Sequence, residues 1–312
     1  PANVNSAATA AVTGAPPTDR VWGDSRYGTS AAIATRAFPN GADIAYIASG
    51  STFPDSLSAA PAAAFGSGPL LLTAPDQLPD AVRTSLISLA PHRIVIVGGD
   101  GAVSAAVEDQ LDAIAPTTRI GGTDRYETSR NLVASAFTSA SVVYLATGAT
   151  FPDALTAGAA AGAQHVPVIL VPGGAKAVDS QTLALISQLG ATTVRIAGGT
   201  GAVSAGIESS LKAKGFTTQR LQGADRYATA VAINRQAFSS ADVAFLSSGT
   251  TFPDALSGSA AAGALGQPLY TTPSTCLSSA IDKGLTAMDP SRITLLGGTG
   301  ALTSSVATLS RC

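Results

Sequence analysis

The chain has 312 residues, 46% of them hydrophobic and 12% charged, with a formal net charge of −2. That length and apolar content can bury the cores of two or three ordinary domains and exclude an intrinsically disordered chain. A charged fraction about half the usual quarter, with acid and base nearly balanced, excludes nucleic-acid binding by bulk positive charge. The 32 glycines and 18 prolines interrupt every apolar stretch before it reaches the roughly 20 residues of a membrane span.

Residues 1–19, rich in Ala, Thr, Asn and Pro, read as a flexible leader. The opening Pro1-Ala2-Asn3-Val4 has no charged or apolar region, so a secretion signal is expected to be absent or already removed. A helix is predicted after Tyr27, then a strand near 44–49, an Ala-rich helix from about Ser56 and a strand at 70–73. A helix from about 80 to 89, a strand at 94–97 and a helix at 104–114 follow. Apolar strands of four to six residues alternating with helices imply right-handed crossovers and a parallel sheet covered on both faces. The loops Ser49-Gly50, Thr73-Ala74-Pro75 and Gly98-Gly99 then lie at the carboxyl edge of the sheet, where open α/β sheets bind ligands.

The same unit is written three times. Phe53-Pro54-Asp55, Phe151-Pro152-Asp153 and Phe252-Pro253-Asp254 recur 98 and 101 residues apart. Gly98-Gly99-Asp100-Gly101-Ala102-Val103-Ser104 returns at Gly198–Ser204 and Gly297–Thr303. Arg119-Ile120-Gly121-Gly122-Thr123-Asp124-Arg125-Tyr126 returns at Arg220–Tyr227, with a degraded copy at Arg20–Tyr27 in which Trp22 replaces a glycine and Ser25 the aspartate. The expected units are therefore 20–118, 119–219 and 220–312. The third ends before its own Arg-x-x-Gly segment, so residues 20–27 are expected to dock there and close a pseudo-threefold ring. Cys276 and Cys312 read as a disulfide securing that seam and favour an oxidising compartment; two unrelated buried thiols are the alternative.

The Gly-rich turns depart from a dinucleotide fingerprint. Ser104, Ser204 or Thr303 stands at the third glycine and reads as a helix N-cap, and no acidic residue follows about twenty positions on. A structural turn, or an anion or sugar contact by its amides, remains. Thr52-Phe53-Pro54-Asp55 and its copies fit a capping box, with ligand hydrogen bonding as a second role for Asp153 and Asp254. Arg20, Arg26, Arg119, Arg125, Arg220 and Arg226, with Asp124 and Asp225 beside them, offer two readings. One is bidentate contact with phosphate or carboxylate; the other is an Arg–Asp staple between units. Tyr27, Tyr126 and Tyr227 read as packing residues. His92 and His165 hold non-equivalent positions with no acid or nucleophile nearby in sequence, and no GxSxG or HExxH occurs, so no catalytic residue, metal or cofactor is expected.

The Arg119–Ser129 segment, the loop at 248–257 and the closing Gly-Gly-Thr-Gly-Ala-Val-Ser turn resemble the cell wall binding repeat type 2 family over residues 20–312. The resemblance implies three tandem Rossmann-like or Toprim-like modules about a pseudo-threefold axis. It implies an extracellular, non-catalytic module that anchors to an anionic secondary wall polymer of Gram-positive bacteria, teichoic-acid-like or a phosphate-bearing polysaccharide. It also implies an effector domain attached elsewhere, for which the chain leaves no room. The expected charge contacts are Arg119, Arg125, Arg220 and Arg226. Two alternatives are an enzyme acting on a phosphorylated sugar or nucleotide, and a surface assembly or adhesion protein.

Overall fold

A computed structural model describes residues 15–312. The chain builds three sheets of four parallel strands each. The first has the order β3(Leu70–Thr73), β2(Ile44–Ser49), β4(Arg93–Val97), β5(Thr117–Ile120). The second has β7(Val168–Val171), β6(Val142–Thr147), β8(Thr193–Ala197), β9(Thr217–Leu221). The third has β11(Leu269–Thr272), β10(Val243–Ser248), β12(Arg292–Leu296), β1(Thr18–Val21). The expected ring closure is present: β1 pairs in parallel with β12, Arg20 opposite Leu295 and Val21 opposite Leu296.

The fourth strand of each sheet was not expected as a strand. Thr-Asp-Arg-Val, Thr-Thr-Arg-Ile and Thr-Thr-Gln-Arg-Leu carry too few apolar residues to signal one. They sit at the sheet edge, where one face stays wet and polar residues are tolerated. The boundaries at 118/119 and 219/220 accordingly fall inside β5 and β9, so each sheet takes its last strand from the start of the next repeat. Of the leader expected at 1–19, residues 1–14 lie outside the described residues, while Thr18 and Asp19 belong to β1.

Each sheet is covered on both faces. In the first, Ala45 and Ile47 of β2 face a core with α3(Asp80–Leu89) and α4(Ala105–Asp112), whereas Ile44, Tyr46 and Ala48 face α2(Ala59–Phe65). Helices α2, α6(Pro152–Ala163) and α10(Pro253–Ala264) pack on one another at the centre. Close approach needs small residues: a Cβ on Gly162 would lie 2.7 Å from the Ala64 Cβ and 3.2 Å from the Gly263 Cα. Ala64, Gly162 and Gly263 occupy one repeat position, as do Ala60, Gly158 and Ser259, whose hydroxyl donates to Leu155 O at 2.8 Å. Above them Phe53, Phe151 and Phe252 meet, ring centroids 5.4, 5.6 and 6.1 Å apart. Such aromatic pairs add about 0.5–1.5 kcal/mol each beyond burial.

The first unit differs in one helix. Where Ser56 was expected to open it, α2 begins only at Ala59. Pro61 is the cause, because its ring clashes with the carbonyl four residues back and its nitrogen cannot donate. Ala159 and Ala260 hold that position in α6 and α10, which run from Pro152 and Pro253. Cys276 and Cys312 form a disulfide with Cα atoms 4.9 Å apart, but it joins the segment after β11 to the end of the third unit, beside the Leu277–Arg311 bridge, rather than tying β1 to β12.

Candidate functional site

Three helices begin at the carboxyl edges: α1(Arg26–Ala37), α5(Arg125–Ala136) and α9(Arg226–Ala237). Their N-caps are Ser25, Asp124 and Asp225. The Tyr126 and Glu127 amides donate to Asp124 at 2.8 Å each, Ala228 N donates to Asp225 at 2.8 Å, and Gly28 N to Ser25 at 3.1 Å. Asp124 and Asp225 thus have a capping task that a serine performs equally well in the first repeat, which explains the degraded copy.

The two arginines of each motif have different roles. Arg20, Arg119 and Arg220 lie on the fourth strands and tie down the Gly-Gly turn of the neighbouring unit. Arg20 donates to Gly297 O at 2.6 Å and Leu302 O at 2.8 Å. Arg220 donates to Gly198 O at 2.9 Å and Val203 O at 2.8 Å, and pairs with Glu208 at 2.8 Å. Arg119 donates to Gly98 O at 3.1 Å and pairs with Glu108 at 2.6 Å. The staple between units is therefore real: it joins arginine to turn carbonyls and to Glu108 or Glu208, and at Arg119 also to Asp100 of the turn at 3.4 Å, rather than to the motif's own aspartate. The guanidinium groups of Arg119 and Arg220 are largely buried, which moves the expected charge contact away from them.

Arg26, Arg125 and Arg226 open the helices. Each donates once from Nη1, to Gly50 O at 2.6 Å, Gly148 O at 2.7 Å and Gly249 O at 2.7 Å. Arg26 and Arg226 are otherwise exposed and Arg125 is half-buried. The Tyr27, Tyr126 and Tyr227 rings lie on the same three glycines, as packing residues should.

Facing these arginines are the Phe-Pro-Asp carboxylates of the neighbouring unit. The charge of Arg125 acts on Asp55, that of Arg226 on Asp153 and that of Arg26 on Asp254. Burial dominates: it raises Asp55 and pushes Asp153 and Asp254 from 3.8 up to about 6, with the arginines pulling the other way. The capping-box reading of these aspartates does not hold. The N-caps of α6 and α10 are Phe151 and Phe252, with no side-chain cap bond, because the Pro at N1 shifts the helix start past the threonine. The carboxylates instead lie against the first glycine of each Gly-Gly turn. Gly98, Gly198 and Gly297 have φ of +111°, +108° and +97°, and a Cβ on Gly198 would sit 2.5 Å from Asp153 Oδ2. A side chain there would be strained and would displace the aspartate.

Three composite clefts result, each combining an Asp and a Gly-Gly turn from one unit with an Arg and a Ser/Thr-Gly loop from the next. Asp55, missing from the sequence-expected site, completes the set; its Phe53-Pro54-Asp55 triplet was the available signal. The clefts are not identical. Trp22, half-buried, stands by Gly298 at the third seam, where Gly121 and Gln222 occupy the equivalent positions. The Ser248, Thr250 and Ser274 hydroxyls cluster within 2.9–3.2 Å in the third unit. Ser204 caps α8(Ala205–Ala213) through Ile207 N, whereas Ser104 and Thr303 hold the cap position without that bond.

The histidines lie away from the clefts. His92 Nδ1 stands 3.2 Å from Asp43, both exposed, before β4. His165 sits edge-on to Phe65, centroids 5.9 Å apart, before β7. Among the described residues no group of three or more His, Cys, Asp and Glu side chains is placed to hold a metal ion, and no helix is long and apolar enough to cross a membrane.

Comparison with known proteins matches this architecture. The chain is 29% identical over 289 residues to the N-acetylmuramoyl-L-alanine amidase LytC of Bacillus subtilis, covering 92% of the chain and 57% of that protein. It is 31% identical over 245 residues to the amidase enhancer of the same organism, covering 78% of the chain and 33% of that protein. Cwp6 from Clostridium difficile shares the fold, with a TM-score of 0.86 at 24% identity over 97% of this chain and 51% of that one. The chain thus spans about a third to just over half the length of these relatives. The model of Cell wall binding domain 2 (CWB2) matches residues 20–108, 119–208 and 220–307. The three matches coincide with the three repeats, and the chain belongs to the Cell wall binding domain 2 family as three tandem copies.

Proposed function

We propose that this cell-wall-binding module acts outside the cell, without catalysis, by gripping an anionic wall glycopolymer in its three composite clefts. The observation that carries the reading is a cyclic arrangement in which each unit's Phe-Pro-Asp carboxylate lies against its own Gly-Gly turn and within the field of the next unit's arginine. The pairs are Asp55 with Arg125, Asp153 with Arg226 and Asp254 with Arg26, none of them in direct ion-pair contact. A guanidinium with unused donors, exposed at Arg26 and Arg226 and half-buried at Arg125, suits a polymer phosphate or carboxylate. A buried carboxylate beside it suits sugar hydroxyls, which donate to it. Turn amides at a helix start add anion contacts.

Repetition supports binding more than chemistry. A polymer with a regular repeat can engage several clefts, and each linked contact multiplies avidity, by about 10²–10⁴ when geometry allows. A teichoic-acid-like or phosphate-bearing polysaccharide fits this chemistry. An attached effector domain in the parent protein fits the lengths of the relatives.

The test is wall binding by the double variant Arg125→Ala and Arg226→Ala across a salt series. Loss of one charge-assisted contact is worth about 1.5–3 kcal/mol, so the expected loss is tenfold or more, with the residual binding less sensitive to salt. Equal binding by the double variant would reject the arginine assignment.

A further inference from the structure

The three seams also differ at the opposite, amino edge of the sheets. Between the third sheet, α1 and α10 lies a cavity of about 270 Å³, walled by Val21, Ile33, Phe245, Ala261, Leu265 and Leu296. Arg36, Gln267 and Arg292 line it as well, together with Thr294. We infer that this cavity is a binding site for a small amphipathic carboxylate of about ten non-hydrogen atoms, apolar body inward and acid group on Arg36 and Arg292.

Pseudosymmetry shows why the space exists. Across the third sheet the residues Asp19, Thr294 and Phe245 stand side by side. Gln219, Arg195 and Tyr144 form the same row in the second sheet. There Arg195 fills the space: its Nη1 donates to Gln164 Oε1 at 2.6 Å and to Tyr144 Oη at 3.3 Å. Its guanidinium carbon also lies 5.4 Å from the Tyr144 ring centroid. Tyr144 Oη in turn reaches Gln236 at 2.7 Å. In the third unit each member of that network is exchanged, Arg195 for Thr294, Tyr144 for Phe245, Gln164 for Leu265 and Gln236 for Arg36. The filling side chain is gone and its polar partners have become apolar walls. In the first unit Val95 and Tyr46 hold the positions, inside a core cluster with Phe137.

The polar groups define the head of the ligand. Arg36 Nη2 pairs with Asp19 Oδ2 at 2.5 Å, and Arg292 Nε lies 4.0 Å from the same oxygen. Two guanidiniums thus share one carboxylate, leaving one positive charge in excess at an opening where Arg292 and Leu265 are about half exposed. Gln267 Oε1 accepts from Val243 N at 3.1 Å, which leaves its amide hydrogens toward a ligand oxygen. Thr294, fully buried, has a hydroxyl with no partner, and Asp19 Oδ1 has none either. The native structure therefore keeps two buried polar atoms unsatisfied beside an apolar space, a state a ligand relieves. A dry apolar cavity of about 150 Å³ accepts a benzene ring, so this volume admits a body somewhat larger, and the excess charge selects an acid.

The probe is sodium octanoate titrated into the full chain, followed by calorimetry and methyl NMR. The expected result is saturable one-to-one binding with shifts confined to Val21, Ile33, Leu265 and Leu296. Binding of 1-octanol should be at least tenfold weaker, and acetate should show none. Restoring the second unit's residues with Thr294→Arg and Leu265→Gln should abolish binding, and Arg292→Ala, at a half-exposed position, should weaken it about tenfold. Absence of saturable shifts in the unmodified chain would overturn the inference whatever the variants do. So would equal affinity for octanoate and 1-octanol, or unchanged binding in the folded double variant.

Discussion

Replacing Asp153 by asparagine keeps the shape of the side chain and removes its charge. Burial raises this carboxyl from 3.8 to about 6, so the folded state binds its proton more tightly than the unfolded chain does. Between those two values the folded state carries more protons, and stability falls as pH rises, then levels off above the folded value. A shift of about two units corresponds to about 3 kcal/mol of destabilisation at neutral pH. Asp153→Asn removes that cost. The lowered groups Glu127, Asp179 and Glu208 act in the opposite sense, losing their contribution as pH falls through their folded values; they are common to both proteins and cancel in the difference. Urea denaturation at pH 4 and pH 7.5 is the assay. The variant should match the parent at pH 4 and exceed it by about 2–3 kcal/mol at pH 7.5, while binding walls less tightly, since stability and function oppose each other at such a site. Equal or lower stability of the variant at pH 7.5 would refute the reasoning and make Asp153 a structural partner of Arg226.

Arg220→Ala should cost about 3 kcal/mol, because it leaves the carbonyls of Gly198 and Val203 without their Arg220 donor and takes from Glu208 one of its two cationic partners, Lys212 remaining as the other. Thermal unfolding would show it, and unchanged melting would deny the staple. Gly162→Val should destabilise by about 1–3 kcal/mol through the clash with Ala64, and a neutral result would mean the central helices separate freely. Reducing Cys276–Cys312, which are 36 residues apart, should lower stability by about 3–4 kcal/mol in the chain-entropy model, read from denaturation with and without reductant. Trp22 is the single tryptophan, so polymer bound in the third cleft should shift the intrinsic emission, and Arg26→Ala should suppress the shift. Constant emission at saturating polymer would remove that cleft from the binding surface.

The ring was legible because its markers repeat whole: three Phe-Pro-Asp triplets, three Gly-Gly turns, and an Arg-x-x-Gly segment at the start of the chain that the third unit lacks. The fourth strands were not legible, since Thr18–Val21 and its counterparts are short and polar and become strands only by pairing with β12, β4 and β8. The two arginines of each motif look alike in sequence. Only the backbone separates Arg119, aimed along β5 at a turn carbonyl, from Arg125, half-buried at the start of a helix. The aspartates carried a misleading signal, because a Thr three residues before an Asp fits a capping box until the intervening Pro takes the first helical position. The difference between seams was hidden for another reason: Thr294 and Arg195 each stand three residues before their Gly-Gly pair, but only the structure shows that Arg195 fills a space that Thr294 leaves open.

The central claim is tested most directly by sedimenting the purified chain with native Gram-positive walls beside walls stripped by acid of phosphodiester-linked polymers. The account predicts binding to the native walls, weakened by salt, and its loss on the stripped ones. Equal binding to both would contradict it, because the clefts would then be recognising peptidoglycan rather than an anionic polymer.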